Sequence, residues 1–498
     1  VEVPRSQYSE SSDGLIRNPV FGLPSFLIYD RRYQSPGPGP MLRKLKLTTA
    51  IVVFCLLIYV AFYTSALINA GSGFSAKNIC SGHFISGMSG RHIIDEALIP
   101  AASVFSNIRF SIDETGRWVD ADIFGLFSRR AVFTEGTGCT LLATGEKQLK
   151  RGVRTINHHQ PGQNLAWPAG DAGPVPNARL QSVLDQAFSE PDPRQLRHTK
   201  AVVVIHRGQL IAEKYADGVD LHTPLIGWSM AKSVTNLLLG ILIKDGKLSL
   251  EQPAPVSGWH ENRDDPRAAI TIDQLLRMSS GLEFDETYAL YSDVTRMLSA
   301  EPDAAGFAAS KSLFKPPDTH WAYSSGTSNI LSGIIRRTIG GTFQDYYEFP
   351  QTRLFLPLGI HSATLETDYD GTFIGSSFMY ASARDWARLG QLCLQDGNWQ
   401  GRQILPQAWI RYSTTPTPGN PKRNYGAHFW LNADPEATAG HRTWPSLPAD
   451  AYSMNGYQGQ RVLIVPSKDL VVVRMGFSAG PDRGIEKLVA SIIRLLEQ

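Results

Sequence analysis

Three observations predict an α+β (α/β) fold in which one antiparallel sheet is assembled from both ends of the chain and a helical subdomain is inserted between them. Ala201-Val202-Val203-Val204-Ile205 and Leu210-Ile211-Ala212-Glu213-Lys214-Tyr215 are apolar runs of strand length flanking Arg207-Gly208, the pattern of a hairpin. Near the C-terminus, Arg461-Val462-Leu463-Ile464-Val465 and Leu470-Val471-Val472-Val473-Arg474-Met475 flank the turn Pro466-Ser467-Lys468-Asp469 in the same way. Between these pairs the apolar spacing turns helical, with Val234, Leu237, Leu238, Ile241 and Leu242 ending at Asp245-Gly246, where glycine suits a left-handed cap.

In chain order, residues 1–46 are polar and then basic, and carry Pro36-Gly37-Pro38-Gly39-Pro40 without an apolar period. They read as a disordered, cytoplasmic segment, and Met41 is a candidate start site. Residues 47–68 are apolar, uncharged and long enough to cross a bilayer as a helix. Arg43, Lys44 and Lys46 precede this span, and no charge follows until Lys77, so the basic end is expected to stay in the cytoplasm and the rest on the far side. Ile68-Asn69-Ala70 is a poor cleavage site, which favours an anchor over a cleaved signal.

Residues 69–176 read as an extension of short strands, such as Ile108-Arg109-Phe110-Ser111-Ile112, packing on the main domain at 177–498. His158-His159 invites a metal reading, but adjacent histidines point opposite ways on an extended chain, and no metal site is expected. Cys80 and Cys139 are either a disulfide, worth about 4 kcal/mol in the chain-entropy model, or two buried thiols. Cys393 reads as core. In the main domain, helices are expected from Leu180 to Phe188, from Thr271 as cap, and from Ile330 to Ile339, with Asp482 capping a last amphipathic helix. The net charge of +2, without a long basic run, gives no case for a nucleic-acid partner.

The stretch that carries chemistry is Gly227-Trp228-Ser229-Met230-Ala231-Lys232-Ser233, at the start of the apolar helix. Three residues along a helix bring the Ser229 hydroxyl and the Lys232 amine onto one face. Burial favours a neutral amine able to take a proton, and the helix N-terminus supplies N–H groups for an oxyanion. Ser-x-x-Lys arises by chance about once in a chain of this size, so its company matters. Trp321-Ala322-Tyr323-Ser324-Ser325-Gly326 puts a phenol on a loop before a helix, and Asn455-Gly456-Tyr457-Gln458-Gly459-Gln460 puts two glycines before a strand, where a substrate backbone can come close.

Taken in that order and spacing, residues 177–498 resemble the penicillin-recognising serine hydrolases. Within them the chain looks most like the class C β-lactamase-related branch and the 6-aminohexanoate-dimer hydrolases. The residues behind this are Trp228-Ser229-Met230-Ala231-Lys232-Ser233, Met278-Ser279-Ser280-Gly281-Leu282, Tyr323-Ser324-Ser325 and Gly456-Tyr457-Gln458-Gly459-Gln460. Of the superfamily's Ser-x-x-Lys, Ser-Asp-Asn and Lys-Thr-Gly elements, two are altered. Ser325 replaces an amide side chain, and Tyr457-Gln458-Gly459 lacks the lysine that grips a β-lactam carboxylate. Arg461 is expected to face away or lie beyond reach.

The resemblance implies a β-lactamase/transpeptidase-like fold and a serine hydrolase acting on a small-molecule amide or ester without a cofactor. Ser229 would attack, Lys232 and Tyr323 would form a coupled base, and Ser325, Tyr457, Gln458, Gly459 and Gln460 would bind substrate or oxyanion. Tyr288, Trp430, Glu283, Asp285 and Glu286 are weighed as pocket-shaping residues, with plain packing or solvation as the competing role. A cell-wall D,D-peptidase or weak β-lactamase and a non-catalytic, membrane-tethered scaffold are the rival functions. The oligomeric state is left open by the sequence.

Overall fold

Among the residues described by the computed structural model (39–149, 151–156, 162–289, 291–432, 442–479 and 484–498), six antiparallel strands form the central sheet. Segment 1–38, the His158-His159 pair and Asp482 fall outside those ranges. The sheet runs Trp430–Leu431, Tyr452–Asn455, Arg461–Val465, Leu470–Gly476, Thr199–His206, Gln209–Tyr215, so it is built from both chain ends. The seam between them pairs Val473 with Val203 and Val471 with Ile205.

Period-two alternation explains why these strands read as unbroken apolar runs. Val202, Val204, Leu463, Val465 and Val472 pack in one cluster with residues of the helices Ala178–Ala187 and Gly484–Leu496. Val203, Ile205, Val462, Ile464 and Val473 belong to a second core with the helix Ala383–Leu394. That helix approaches closely at Gly390, where a Cβ would meet Val462 and Val471 methyls at 2.6 Å.

The inserted subdomain centres on two helices, Met230–Lys244 and Ser325–Ile339. The second begins five residues before the expected Ile330, because the Ser324 hydroxyl caps it by accepting from Thr327 N–H. Thr271 forms a capping box with Gln274, although its helix is brief, Ile272–Leu276.

At the N-terminal side one helix runs Pro40–Phe84, well past the apolar span 47–68. Residues 43–64 of it are exposed. Residues 61–498 form one compact unit, and within it the helix is anchored by buried polar groups. Lys77 and Glu366, both fully buried, pair at 2.6 Å. Glu366 also accepts from Ser81 Oγ at 2.8 Å and from Cys139 N–H at 2.6 Å, and Lys77 Nζ donates to the Cys139 carbonyl. Cys80 and Cys139 are joined as a disulfide, one helical turn from Lys77.

Removing one member of a dry ion pair leaves an uncompensated charge, at a cost of about 3–5 kcal/mol. Lys77→Met is expected to lower unfolding stability by about that amount in denaturant titration of the full chain in detergent. The double variant Lys77→Met/Glu366→Leu should recover much of the loss; equal destabilisation in both would remove the pair from this account.

Candidate active site

The approach to Ser229 is a bent turn. After the short strand Leu225–Ile226, Trp228 adopts φ +46°, a region costly for a bulky residue, and is held there by ring contacts. Its indole stacks on Phe74 at 6.1 Å, tilts against Phe378 at 5.5 Å and meets Tyr457 edge-on at 5.9 Å. The first helical bonds run from Met230 N to Gly227 O, Ala231 N to Trp228 O and Lys232 N to Ser229 O. The Ser229 N–H therefore precedes the helical ladder, where donors have no partner within the helix. The Ser229 side chain makes no capping bond to the helix, and its hydroxyl is partly exposed.

Lys232 is buried, and its Nζ contacts three neutral oxygens: Ser229 Oγ at 3.1 Å, Ser325 Oγ at 2.9 Å and the Ser376 carbonyl at 3.0 Å. Burial pushes the amine down to about 8, with the charge of Glu286 acting in the opposite sense. Behind it, His428 is buried, with Nδ1 against the Lys232 carbonyl at 2.8 Å and Nε2 near Ser328 Oγ at 3.2 Å. Burial holds that imidazole down to about 3, so it is neutral.

Tyr323 reaches the same point from the loop before the second helix. Ala322 N–H donates to the Met278 carbonyl at 3.0 Å, and Asp318 binds the Ser279 hydroxyl at 2.7 Å, so the Met278–Gly281 turn braces that loop. The Ser229 side chain acts on the phenol in the sense that lowers its proton affinity, and the Lys232 amine lies 4.9 Å from the ring centre. Burial, then Tyr425 and Glu286, push the phenol well above its ordinary value, so it keeps its proton at neutral pH.

The structure thus gathers Ser229, Lys232 and Tyr323 around one point. Ser325 lies in the same cluster but is fully buried, so the expected place on the substrate wall is replaced by one inside the network. As the first residue of its helix it turns inward, where its hydroxyl accepts from Lys232 and donates to Glu286 Oε1 at 2.6 Å. Glu286 Oε2 takes the Ser325 N–H at 2.7 Å. This carboxylate, weighed in the sequence only as a pocket-shaping residue, comes close because Phe284 packs where a Gly326 side chain would be.

The glycine-containing segment is a tight turn, Tyr457–Gly459, and not an extension of the strand, since Gln458 and Gly459 take φ values of +57° and +81°. It sits beside the Ser229 turn: a Cβ on Gly456 would meet the Gly227 carbonyl at 2.1 Å. Tyr457 is partly exposed and stacks on Tyr288 at 6.2 Å. The Gln458 side chain turns away from the expected substrate position and donates to the Ala97 carbonyl at 2.7 Å. The Gln460 side chain is likewise held by the Gly476 backbone, accepting its N–H at 3.0 Å. Arg461 NH1 donates to the Gly456 and Gln460 carbonyls at 2.8 and 2.7 Å, and its charge acts on the Tyr323 phenol.

The chain is similar to several known proteins. The 6-aminohexanoate-dimer hydrolase of Paenarthrobacter ureafaciens is 24% identical over 334 residues, covering 63% of this chain and 81% of that protein. A Bacillus anthracis chain provisionally named a 6-aminohexanoate-dimer hydrolase superposes with a TM-score of 0.50 at 23% identity, covering 69% of this chain and 88% of its own. A class C beta-lactamase from Rhodobacter sphaeroides gives 0.48 at 16% identity over 65% of this chain and all of its own. The Beta-lactamase family model matches residues 184–490, from the helix before the first sheet strand into the last helix. A match of that extent, over more than half of the sequence, places the chain in the beta-lactamase family.

Proposed function

We propose that the chain is a membrane-anchored serine hydrolase that cleaves an amide or ester of a small molecule through an acyl-enzyme. The single observation that carries this reading is the buried Lys232 amine at 3.1 Å from a partly exposed Ser229 hydroxyl. A lysine whose proton affinity has fallen to about 8 is a base matched to the task, and serine is a nucleophile only with such a base beside it.

Ser229 Oγ attacks the carbonyl carbon while its proton passes to Lys232 Nζ. The oxyanion is received by the Ser229 N–H and an N–H of the Gly459-Gln460 segment, each donor worth about 3 kcal/mol. Tyr323, which keeps its proton, donates to the leaving nitrogen or oxygen and regains a proton through the cluster. Water then attacks the acyl-enzyme by the same steps in reverse. The 6-aminohexanoate-dimer hydrolase among the relatives supports an amide, and the missing Lys-Thr-Gly lysine weighs against a β-lactam. The exposed, uncharged run at 47–64 supports the anchor, since apolar side chains in that number need a lipid surround.

Three measurements check the reading. In full-length protein in detergent, a serine-directed phosphonate should label Ser229, and Ser229→Ala should abolish the adduct and lower p-nitrophenyl-ester turnover by roughly a thousand-fold or more. Parental turnover in the alanine variant would contradict the assignment. Because protonated Lys232 cannot accept from Ser229, kcat/KM should rise with pH and reach half its plateau near 8, whereas a flat profile from 6 to 10 would exclude this base. Expressed protein should stay in the membrane pellet after alkaline carbonate washing; release into the supernatant would exclude the anchor.

A further inference from the structure

The structure assigns Glu286 as the positioning residue of this site: acting through Ser325, it fixes which way the Lys232 amine presents its lone pair, and so makes that amine a base toward Ser229. The inference rests on the acyl-transfer reading above and adds a component to it.

The argument is one of donors and acceptors. An ionised carboxylate only accepts. Glu286 Oε1, 2.6 Å from Ser325 Oγ, therefore takes the Ser325 hydroxyl proton, leaving that oxygen only lone pairs to offer Lys232 at 2.9 Å. The Ser376 carbonyl at 3.0 Å is also an acceptor and nothing else. A neutral amine has two N–H bonds and one lone pair. With both N–H bonds claimed by Ser325 and Ser376, the lone pair is left for the third neighbour, Ser229. The proton then leaves Ser229 Oγ for Lys232 Nζ, giving an alkoxide and an ammonium whose three N–H bonds all have acceptors.

Were the Glu286 carboxyl protonated, it would itself donate to Ser325 Oγ. Ser325 would then turn its own hydrogen toward Lys232, occupying the lone pair that Ser229 needs. Glu286 has a second bond that a purely structural role would explain: Oε2 accepts Ser325 N–H at the start of the helix Ser325–Ile339, and Tyr288 also donates to Oε1 at 3.1 Å. The charged and titratable groups facing the cluster are Lys232, Tyr288, Tyr323, Tyr425, His428 and Arg461. Partial burial pushes the Glu286 carboxyl up, and the Lys232 charge opposes this.

The test is Glu286→Gln in the full chain, read as a pH profile of ester turnover. The carboxamide has one acceptor oxygen in place of two and adds a donor, so it cannot hold both the N–H and the hydroxyl of Ser325. The expected result is a loss of at least roughly ten-fold in plateau kcat. The acid limb should also move to lower pH by about half a unit or more, because removing a negative charge near Lys232 weakens its hold on a proton. The limb shift follows from the lost charge whatever the role, so the plateau decides: a folded Glu286→Gln protein with the parental plateau kcat overturns the inference. Should that variant not fold, Ser325→Ala decides, since it keeps the carboxylate and the backbone bond. A ten-fold or larger fall supports the inference and parental turnover overturns it. Ser229→Ala is run alongside: surviving turnover there sinks the acyl-transfer reading itself, whereas an inactive Ser229→Ala with a parental Glu286→Gln plateau sinks this inference alone.

Discussion

A lysine amine buried among neutral oxygens is the constraint on which the rest of the site depends. Lys232 Nζ has a serine hydroxyl, a second serine hydroxyl and a main-chain carbonyl as hydrogen-bond partners. Removal from water without a carboxylate in direct contact disfavours the ammonium, and the amine falls to about 8. A carboxylate placed directly against it would restore the charge and cancel the base. The carboxylate of Glu286 stands one hydroxyl further out, where it orients without pairing directly.

The two halves of the fold meet to hold this arrangement. Ser229 and Lys232 come from one helix, Ser325 from a second helix in the inserted subdomain, and Ser376 from the segment that leads to the strand Met379–Ala381. That strand pairs with Leu225–Ile226, and Gly227 N–H donates to the Met379 carbonyl at 2.8 Å, so the Ser229 turn is tied to the segment that carries Ser376. From the other side the sheet delivers the Gly456 turn onto the Gly227 carbonyl. Each bond is local, but its two partners lie up to hundreds of residues apart, which is why the site exists only in the folded chain.

The legible parts of the sequence were those set by local periodicity. Three of the sheet strands announce themselves because both faces are covered, so every residue from Val202 to Ile205 is apolar. Ser229 and Lys232 are legible because three residues along a helix fix their relation whatever surrounds them. Gln458 was not, because its left-handed backbone and its bond to Ala97, 361 residues away, are tertiary facts with no local signal. The burial of Ser325 is not legible either, because Tyr-Ser-Ser says nothing of where the helix starts. Arg461 opens the strand Arg461–Val465, and the folding of its guanidinium back onto the Gly456 and Gln460 carbonyls has no local signal.

The extension before the matched family region contributes to the site more than its composition suggests. Trp228 is strained at φ +46°, and the ring stacked on it is Phe74, from the N-terminal helix. Gln458, on the turn opposite, is held by Ala97 from the same extension. Phe74 is in turn fixed by what locks its helix: Lys77 against Glu366 and Cys80 to Cys139. Glu366 N–H donates to the Phe378 carbonyl, and Phe378 is the second ring against Trp228. The buried ion pair and the Ser229 turn are therefore consecutive links in one packed path. A serine poised by a left-handed tryptophan can hold that geometry only while aromatic rings from separate segments press on the indole, and one of those rings comes from the helix that also carries the apolar span.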